Sequence, residues 1–167
     1  MISEKLKLDD IDRKIISLVQ EDPNMTHTKI AKKINRSQPT VGMRIKKLEK
    51  SGVLQFQPGI NFKKVNLYLA IVELKSKDPG EIMDMAKFCP FMLNAFRVSG
   101  DHNLCIMLAS SDLQKLDNVI NYHFRKNHDV KSVSMEIVSD IAKDFILPVD
   151  FDSEEHKPTL EDGCGEK

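Results

Sequence analysis

The side chains best suited to chemistry lie between residues 37 and 50, in the run SQPTVGMRIKKLEK. If this run is an α-helix, its 100° per residue places Val41, Ile45 and Leu48 on one side, where they can pack on a core. The other side then presents amide and hydroxyl groups that can hydrogen-bond base edges, and lysines that can hold phosphates. The candidate DNA-contacting residues are Ser37, Gln38, Pro39, Thr40, Gly42, Met43, Arg44, Lys46, Lys47 and Lys50.

Three of these positions allow more than one role. Gly42 would let the helix backbone approach a partner closely. Arg44 falls between the core side and the outer side of the helix and can serve either. Met43 points away from the core, where it can contact a thymine methyl group or be an ordinary exposed methionine.

The charge of the chain is unevenly distributed although its formal net charge is zero. Residues 1–64 contain 14 Lys/Arg and 7 Asp/Glu, a balance of +7, whereas residues 65–167 contain 11 and 18, a balance of −7. Eight of the bases lie within residues 26–50, together with the single acid Glu49. A front half that binds a polyanion explains this asymmetry. A solvated, lysine-rich helix face is the alternative.

The composition excludes several other classes of protein. Hydrophobic residues make up 41% and charged residues 30% of the chain, which is typical of a globular protein. No apolar run reaches the ~18 residues of a membrane span, and the opening MISEKLKLDDIDRK lacks a signal-peptide core. We therefore expect a cytoplasmic protein without a membrane partner.

Neither a metal nor a cofactor is expected. The cysteines Cys89, Cys105 and Cys164 are odd in number and widely spaced, and the histidines lack metal-ligand spacing. No phosphate-binding loop, dinucleotide fingerprint or nucleophile elbow occurs. Cys164, between two glycines, is either an exposed redox-active thiol or an inert one.

The elements that would position the cationic helix form a winged helix-turn-helix, assigned to residues 1–54, with residues 55–66 as wing strand and linker. Apolar periodicity and capping residues locate each helix. The predicted elements are helices over 8–21 and 26–35, a third helix capped by Ser37 and ended by Gly52, and a two-stranded wing over 53–66 around Pro58-Gly59.

A second domain is expected over residues 67–147, followed by an acidic, disordered tail over 148–167. Its elements follow the order β-α-β-β-α-β, which is the ferredoxin-like plan, so the fold class is α+β. The predicted strands cover 67–75, 91–99, 103–110 and about 131–146, and the helices cover 79–89 and 112–127.

Two of these strands are apolar on both faces. Residues 67–72 and 104–109 have no polar side chain that marks a solvent face, apart from the hydroxyl of Tyr68. Two helices can cover only one face of a four-stranded sheet, and an exposed apolar face is a liability. A second copy of the same sheet, in a symmetric dimer, is the expected cover.

The run from residue 37 to 54, preceded by DDIDRKII at residues 9–16, resembles the Lrp/AsnC (feast/famine) family of bacterial and archaeal transcriptional regulators. The β-α-β-β-α-β domain behind it does so too, and the resemblance covers residues 8 to about 146. It implies a homodimer through the second domain, often assembled into tetramers or octamers. It also implies binding to palindromic operators in double-stranded DNA and a response to small molecules, usually amino acids.

The family binds its effector around a turn with the pattern Gly-x-x-Asp, which corresponds here to Gly100, Asp101, His102 and Asn103. The glycine matches, but Asn103 replaces the acid. A neutral amide offers an amino-acid ammonium group only a weaker carbonyl. We therefore expect ordinary amino acids to bind weakly, unless Asp101 or His102 supplies the contact; an ordinary β-turn is the alternative.

An enzyme on the same fold is the competing class, because siroheme decarboxylases resemble this family in both domains. The eight bases within residues 26–50 favour a DNA-binding regulator, since tetrapyrrole chemistry has no use for them. We therefore expect no catalytic residues.

Overall fold

The structure, a computed structural model, describes residues 5–149. These residues divide into two compact units with the boundary between Gln57 and Pro58, inside the segment that the sequence marks as wing and linker. Most of the acidic segment 148–167 lies outside the described residues. No helix among residues 5–149 has the length and apolar character needed to cross a membrane.

The first unit is built from helices whose apolar sides meet in one core. The helices are α1 (Asp10–Glu21), α2 (His27–Ile34) and α3 (Gln38–Lys50). Ile15, Ile30, Val41, Ile45 and Leu48 are all at most 5% exposed and lie together in that core. The apolar stripes read from the sequence are therefore the buried sides of the helices.

Capping side chains fix where each helix begins. The Asp9 carboxylate accepts hydrogen bonds from the backbone N–H of Ile11 (2.9 Å) and Asp12 (2.8 Å). Thr26 and Ser37 cap α2 and α3, as predicted. These side chains satisfy donors that have no partner within a helix.

Two residues with positive φ make the turns around α3 possible. Asn35 ends α2 at φ 53°, and Gly52 follows α3 at φ 73°. The left-handed region is open to glycine and is tolerated by asparagine. Gly52 therefore ends α3 as the sequence predicts.

The second unit is a four-stranded antiparallel sheet with helices on one face. Its elements are β2 (Tyr68–Ser76), α4 (Pro79–Met85), β3 (Met92–Arg97), β4 (Leu104–Ser110), α5 (Leu113–Ile120) with a π-helical turn (Asn121–Arg125), and β5 (Val130–Ile137). The strand order is β3-β4-β2-β5. This is the predicted β-α-β-β-α-β plan, and the α+β fold class is confirmed.

The two-stranded wing predicted around Pro58-Gly59 does not form in the described structure. Strand β1 (Ile60–Asn61) instead pairs antiparallel with β6 (Ile146–Leu147). Phe62 is 4% exposed in a cluster with Phe145 and Leu147, and its N–H donates to the Phe145 carbonyl at 2.8 Å. Burying this phenylalanine removes more apolar surface from water than a hairpin of exposed glutamines would, so the segment joins the second unit.

Gly59 is needed for this pairing. A Cβ atom at this position would lie 2.5 Å from the backbone carbon and oxygen of Leu147. No side chain fits there, so only glycine allows the two chain segments to approach so closely.

The last strand is shorter than predicted. Strand β5 ends at Ile137 rather than near residue 146. The Val138 N–H still donates to the Leu69 carbonyl at 2.9 Å, close to the start of β2 at Tyr68. Beyond this point no strand of the sheet remains to pair with, so the chain leaves the sheet.

The second apolar face of the sheet is covered in part by the chain itself. Leu69 and Ala109 are 5% and 8% exposed because Phe62, Phe145 and Leu147 pack on them. The expectation that only a partner could cover this face is therefore too broad. The rest of the face stays open: Ile71 and Cys105 are half-buried, and Phe96 on the neighbouring strand is 43% exposed. Met107 is half-buried at the border between this open part and the Phe62 cluster.

Candidate nucleic-acid interface

The outer side of α3, which we call the α3 face, presents polar and cationic side chains around the exposed Met43. Gln38, Pro39, Lys46, Lys47 and Lys50 are exposed. Among the described residues, none forms an ion pair with the three lysines. These five residues, all predicted to contact DNA, therefore lie exposed on one side of the same helix.

The start of α3 is organised by two hydroxyl groups. The Ser37 Oγ lies 2.8 Å from the Thr40 Oγ1, and it accepts a longer hydrogen bond (3.4 Å) from the Thr40 N–H. Both hydroxyls therefore have an internal partner. Gln38, the first helical residue, has an exposed amide that can meet a partner at the same end of the helix.

Arg44 belongs to the support of α3 and not to its outer face. Its Nη1 donates to the Asp9 Oδ2 at 2.6 Å and to the Asp12 Oδ1 at 2.7 Å. The Asp12 side chain is only 11% exposed and the Arg44 side chain 26%. Of the two roles that the sequence leaves open for Arg44, the structure shows the supporting one, because its guanidinium is held by the start of α1.

The cluster of Arg44, Asp9 and Asp12 shifts two pKa values. The Asp12 backbone N–H, followed by the Arg44 guanidinium, lowers the pKa of the Asp9 carboxyl. The hydrogen bonds to Asp9 and Asp12 raise the pKa of Arg44 further above its ordinary value. The charged forms of both partners are therefore favoured in the folded protein.

A cleft of about 470 Å³ opens on the α3 face. Its lining residues are His27, Gln38, Pro39, Gly42, Met43 and Lys46. His27, the first residue of α2, is not among the side chains predicted from the sequence. The sequence could have indicated His27, because it directly follows the predicted cap Thr26 and so begins the helix that packs against α3 in a helix-turn-helix.

Other cations of the first unit lie outside α3. Lys29, Lys32, Lys33 and Arg36 are exposed on α2 and in the turn that follows it. Of the eight bases in residues 26–50, only Arg44 is half-buried and paired with acids. The positive charge of this segment is therefore available to a polyanion.

The turn from Gly100 to Asn103 is tied to the end of β2. The Asn103 Oδ1 accepts from the Ser76 N–H at 2.9 Å, and its Nδ2 donates to the Ser76 carbonyl at 2.8 Å. Gly100 and Asp101 are exposed. The His102 Nδ1 lies 3.6 Å from the Glu73 Oε2. Asn103 is thus a structural clamp on the strand, with both polar atoms of its amide in use.

The described residues contain no group of three or more His, Cys, Asp or Glu side chains that could hold a metal ion. Cys89 is buried and Cys105 half-buried. Burial, with a smaller effect of the Glu73 carboxylate, raises the pKa of the Cys105 thiol. Cys164 lies outside the described residues.

Comparison with known proteins gives a consistent result. Residues 8–55 match the family model described as winged helix-turn-helix DNA-binding. An uncharacterized HTH-type transcriptional regulator of Pyrococcus horikoshii is 32% identical over 146 residues, which are 84% of this chain and 92% of that protein. The HTH-type transcriptional regulator LrpA of the same organism is 26% identical over 140 residues, 81% of this chain and 99% of its own.

A solved structure shares the fold of both units. It is a transcriptional regulator of Neisseria meningitidis in complex with L-Met, with a TM-score of 0.72 and 20% sequence identity. The match covers 84% of this chain and 96% of that one.

The Arg44 cluster predicts a specific loss of stability. Arg44→Met leaves the Asp12 carboxylate, 11% exposed, without its cation. We expect the free energy of unfolding at pH 7 to fall by about 1.5–3 kcal/mol, which is the typical contribution of a hydrogen bond to a charged group. Differential scanning calorimetry of the full chain measures this, and Arg13→Met, which removes an exposed pair with Asp10, is the matched control.

The same variant predicts a pH dependence. Because the folded state lowers the Asp9 pKa, the cluster stabilises the fold above the ordinary aspartate pKa, and this stabilisation is lost as the pH falls through the lowered value. The difference between wild type and Arg44→Met should therefore shrink between pH 7 and pH 3. An equal difference at both pH values would contradict the assigned role.

Proposed function

This chain belongs to the Lrp/AsnC family of transcriptional regulators, and from that premise we propose that it binds palindromic operators as a dimer, with α3 of each subunit in the major groove. The observation behind this proposal is the α3 face, where Gln38, Lys46, Lys47 and Lys50 are exposed and the three lysines have no acidic partner among the described residues. A helix with uncompensated cations and an amide at its N-terminus suits base edges flanked by phosphates.

The residues of the α3 face take different roles in this proposal. Lys46, Lys47 and Lys50 bind phosphates, which gives affinity without sequence preference. Gln38 reads a base edge, because its amide can form two hydrogen bonds with an adenine. Ser37 and Thr40 hold each other at the start of the helix and contribute through the cap that positions Gln38.

The open part of the sheet is the proposed dimer interface. Ile71, Cys105 and Met107 form a half-buried apolar strip, and Cys105 lies between the exposed Phe96 and the exposed Glu73 on the neighbouring strands. A second copy of the same strip would cover it in a symmetric dimer. Further assembly into tetramers or octamers is proposed on the family's pattern.

A small-molecule effector is proposed at the turn formed by Gly100, Asp101, His102 and Asn103. A regulator of the same fold, from Neisseria meningitidis, is known in complex with L-Met. In this chain the Asn103 amide is hydrogen-bonded to the Ser76 backbone, so Asp101 and His102 are the residues of the turn that would contact a ligand. Effector binding at this turn would then shift the assembly equilibrium through differential affinity.

The alternative, a siroheme decarboxylase-like enzyme, is less well supported. The relatives whose similarity extends over both units of this chain are named transcriptional regulators. We therefore propose that this chain has no enzymatic activity. A protein that contacts operators must share a compartment with DNA, so we place it in the cytoplasm. Absorbance spectra with added tetrapyrrole test the enzyme hypothesis, since a bound tetrapyrrole would shift its absorption bands.

The first prediction from this proposal concerns salt. We expect Lys46→Ala, Lys47→Ala and Lys50→Ala each to weaken binding to all duplexes alike, because the phosphate that each lysine holds is present in every sequence. The slope of log K against log salt should shrink by about 1 for each lysine replaced. Fluorescence anisotropy across a salt series measures the slope, and Lys126→Ala, an exposed lysine of the second unit, is the control.

Gln38→Ala should behave differently from the lysine variants. It should relax base preference at one position per half-site by about 1–3 kcal/mol and leave the salt slope unchanged. Selection of bound sequences from a random duplex pool gives the operator and this preference together.

For the lysine variants, an unchanged salt slope when Lys46, Lys47 and Lys50 are all replaced would show that α3 does not lie on DNA.

The second prediction concerns assembly. Met107→Asp places a charge on the open strip, so it should dissociate the oligomer while each unit stays folded. Val72→Asp should unfold the second unit, because Val72 is fully buried under the helices. Light scattering and circular dichroism separate the two outcomes, with Asn118→Asp on an exposed helical position as control. A monomeric wild type would contradict the dimer proposal.

The third prediction concerns residue 103. An aspartate there keeps an acceptor for the Ser76 N–H but has no donor for the Ser76 carbonyl. We expect Asn103→Asp to lower the free energy of unfolding by about 1–3 kcal/mol and to gain no affinity for amino acids. Calorimetric titration with the twenty amino acids measures the second part, with Asn118→Asp, the same change at an exposed helical position, as control. A gain in affinity would show that side chain 103 belongs to the ligand site.

A further inference from the structure

We propose that the cleft on the α3 face receives the C5 methyl group of a thymine, so that the protein distinguishes thymine from an unmethylated pyrimidine at one position of each half-site. This inference rests on the proposed function, because it assumes that the α3 face enters the major groove. It adds a specificity-determining site and assigns His27, Gly42 and Met43 to it.

The cleft has an apolar wall on the outermost side of α3. Met43 is 66% exposed, the largest exposed fraction among the large hydrophobic residues of the range 5–149. Pro39 lies one turn before it and lines the same cleft. In water these apolar groups gain nothing from their exposure, whereas a ligand methyl group placed between them would be removed from water.

Gly42 opens the cleft towards α2. A Cβ atom at this position would lie 3.3 Å from the Nδ1 and 3.7 Å from the Cε1 of His27. An alanine would therefore crowd the imidazole and fill the space between the two helices. With glycine, both Gly42 and His27 line the cleft. This close packing explains why the smallest residue stands at this point of the helix.

The polar ends of the cleft match the surroundings of a thymine in DNA. Gln38 lines one end, where its amide can meet an adenine, and Lys46 lines the other, where its ammonium can meet a phosphate. Among the four unmodified bases, thymine is the one that presents an apolar group, its C5 methyl, in the major groove. An apolar cleft between an amide and a cation therefore fits the edge of a thymine and no other unmodified base.

The experiment replaces thymine by deoxyuridine, which differs only by the missing methyl group. Each thymine of the operator selected from the random pool is replaced in turn, symmetrically in both half-sites, and the Kd is measured by fluorescence anisotropy. Burial of one methyl group is worth about a fourfold change in affinity. We expect such a weakening in wild type at one thymine per half-site and at no position outside the half-sites.

Three variants assign the effect to the cleft. In Met43→Ala the thymine–deoxyuridine difference at that position should fall to below about twofold, because the apolar wall is gone. In Gly42→Ala it should vanish or reverse, because the new methyl group occupies the cleft. Lys47→Ala, which lies outside the cleft, should weaken binding to both duplexes and keep the difference.

Two results would overturn the inference without touching DNA binding itself. One is a wild type that binds thymine and deoxyuridine duplexes equally at every position, or that selects an operator without thymine in the half-site. The other is a methyl effect that survives unchanged in both Met43→Ala and Gly42→Ala. The salt series on the lysine variants reports separately on whether α3 lies on DNA.

Discussion

The first unit depends on burial of the apolar side of α3. Val41, Ile45 and Leu48 are at most 5% exposed, and they fix the rotation of the helix about its own axis. Because an α-helix turns by 100° per residue, this rotation decides which side chains face outward. The exposure of Gln38 and Lys46 follows from the three buried residues and needs no further interaction.

The charged side chains of α3 have two different roles in the first unit: one is paired with acids and stabilises the packing of the helices, and others are exposed to a partner. Arg44 lies at the edge of the buried side, and Asp9 and Asp12 bind it to the start of α1. This contact links the cap of the first helix to the middle of the third. Lys46 and Lys47, only two and three residues further on, have no acidic partner among residues 5–149. A cation paired with acids (Arg44) and two cations without an acidic partner among residues 5–149 (Lys46 and Lys47) thus lie within one turn of α3.

The sheet of the second unit poses a different constraint, since strands β2 and β4 carry apolar side chains on both faces. Helices cover one face, and Phe62, Phe145 and Leu147 cover part of the other. What remains open runs along β2, β3 and β4, and the connection between β3 and β4 contains the turn from Gly100 to Asn103. The Asn103 clamp on Ser76 ties this turn to the end of β2, one of the strands of the open face. Assembly and effector response are therefore expected to involve neighbouring surfaces.

The amino-acid sequence by itself determined the order of the elements, the buried sides of the helices and the outward set on α3. Those features depend on periodicity and capping, which act over a few residues and can be seen in the residue pattern. Thr26, Ser37 and Gly52 bound their helices where the sequence predicts, and the β-α-β-β-α-β order holds.

Only the tertiary structure decided the partners that are distant along the chain. Arg44 meets Asp12 across 32 residues, Asn103 meets Ser76 across 27, and Ile60 pairs with Leu147 instead of forming a wing. No local pattern encodes such contacts, because each depends on which surfaces the packed core brings together. A side chain at the border of a buried face has two environments within reach, and the folded chain selects the one where its charge or hydrogen bonds are satisfied.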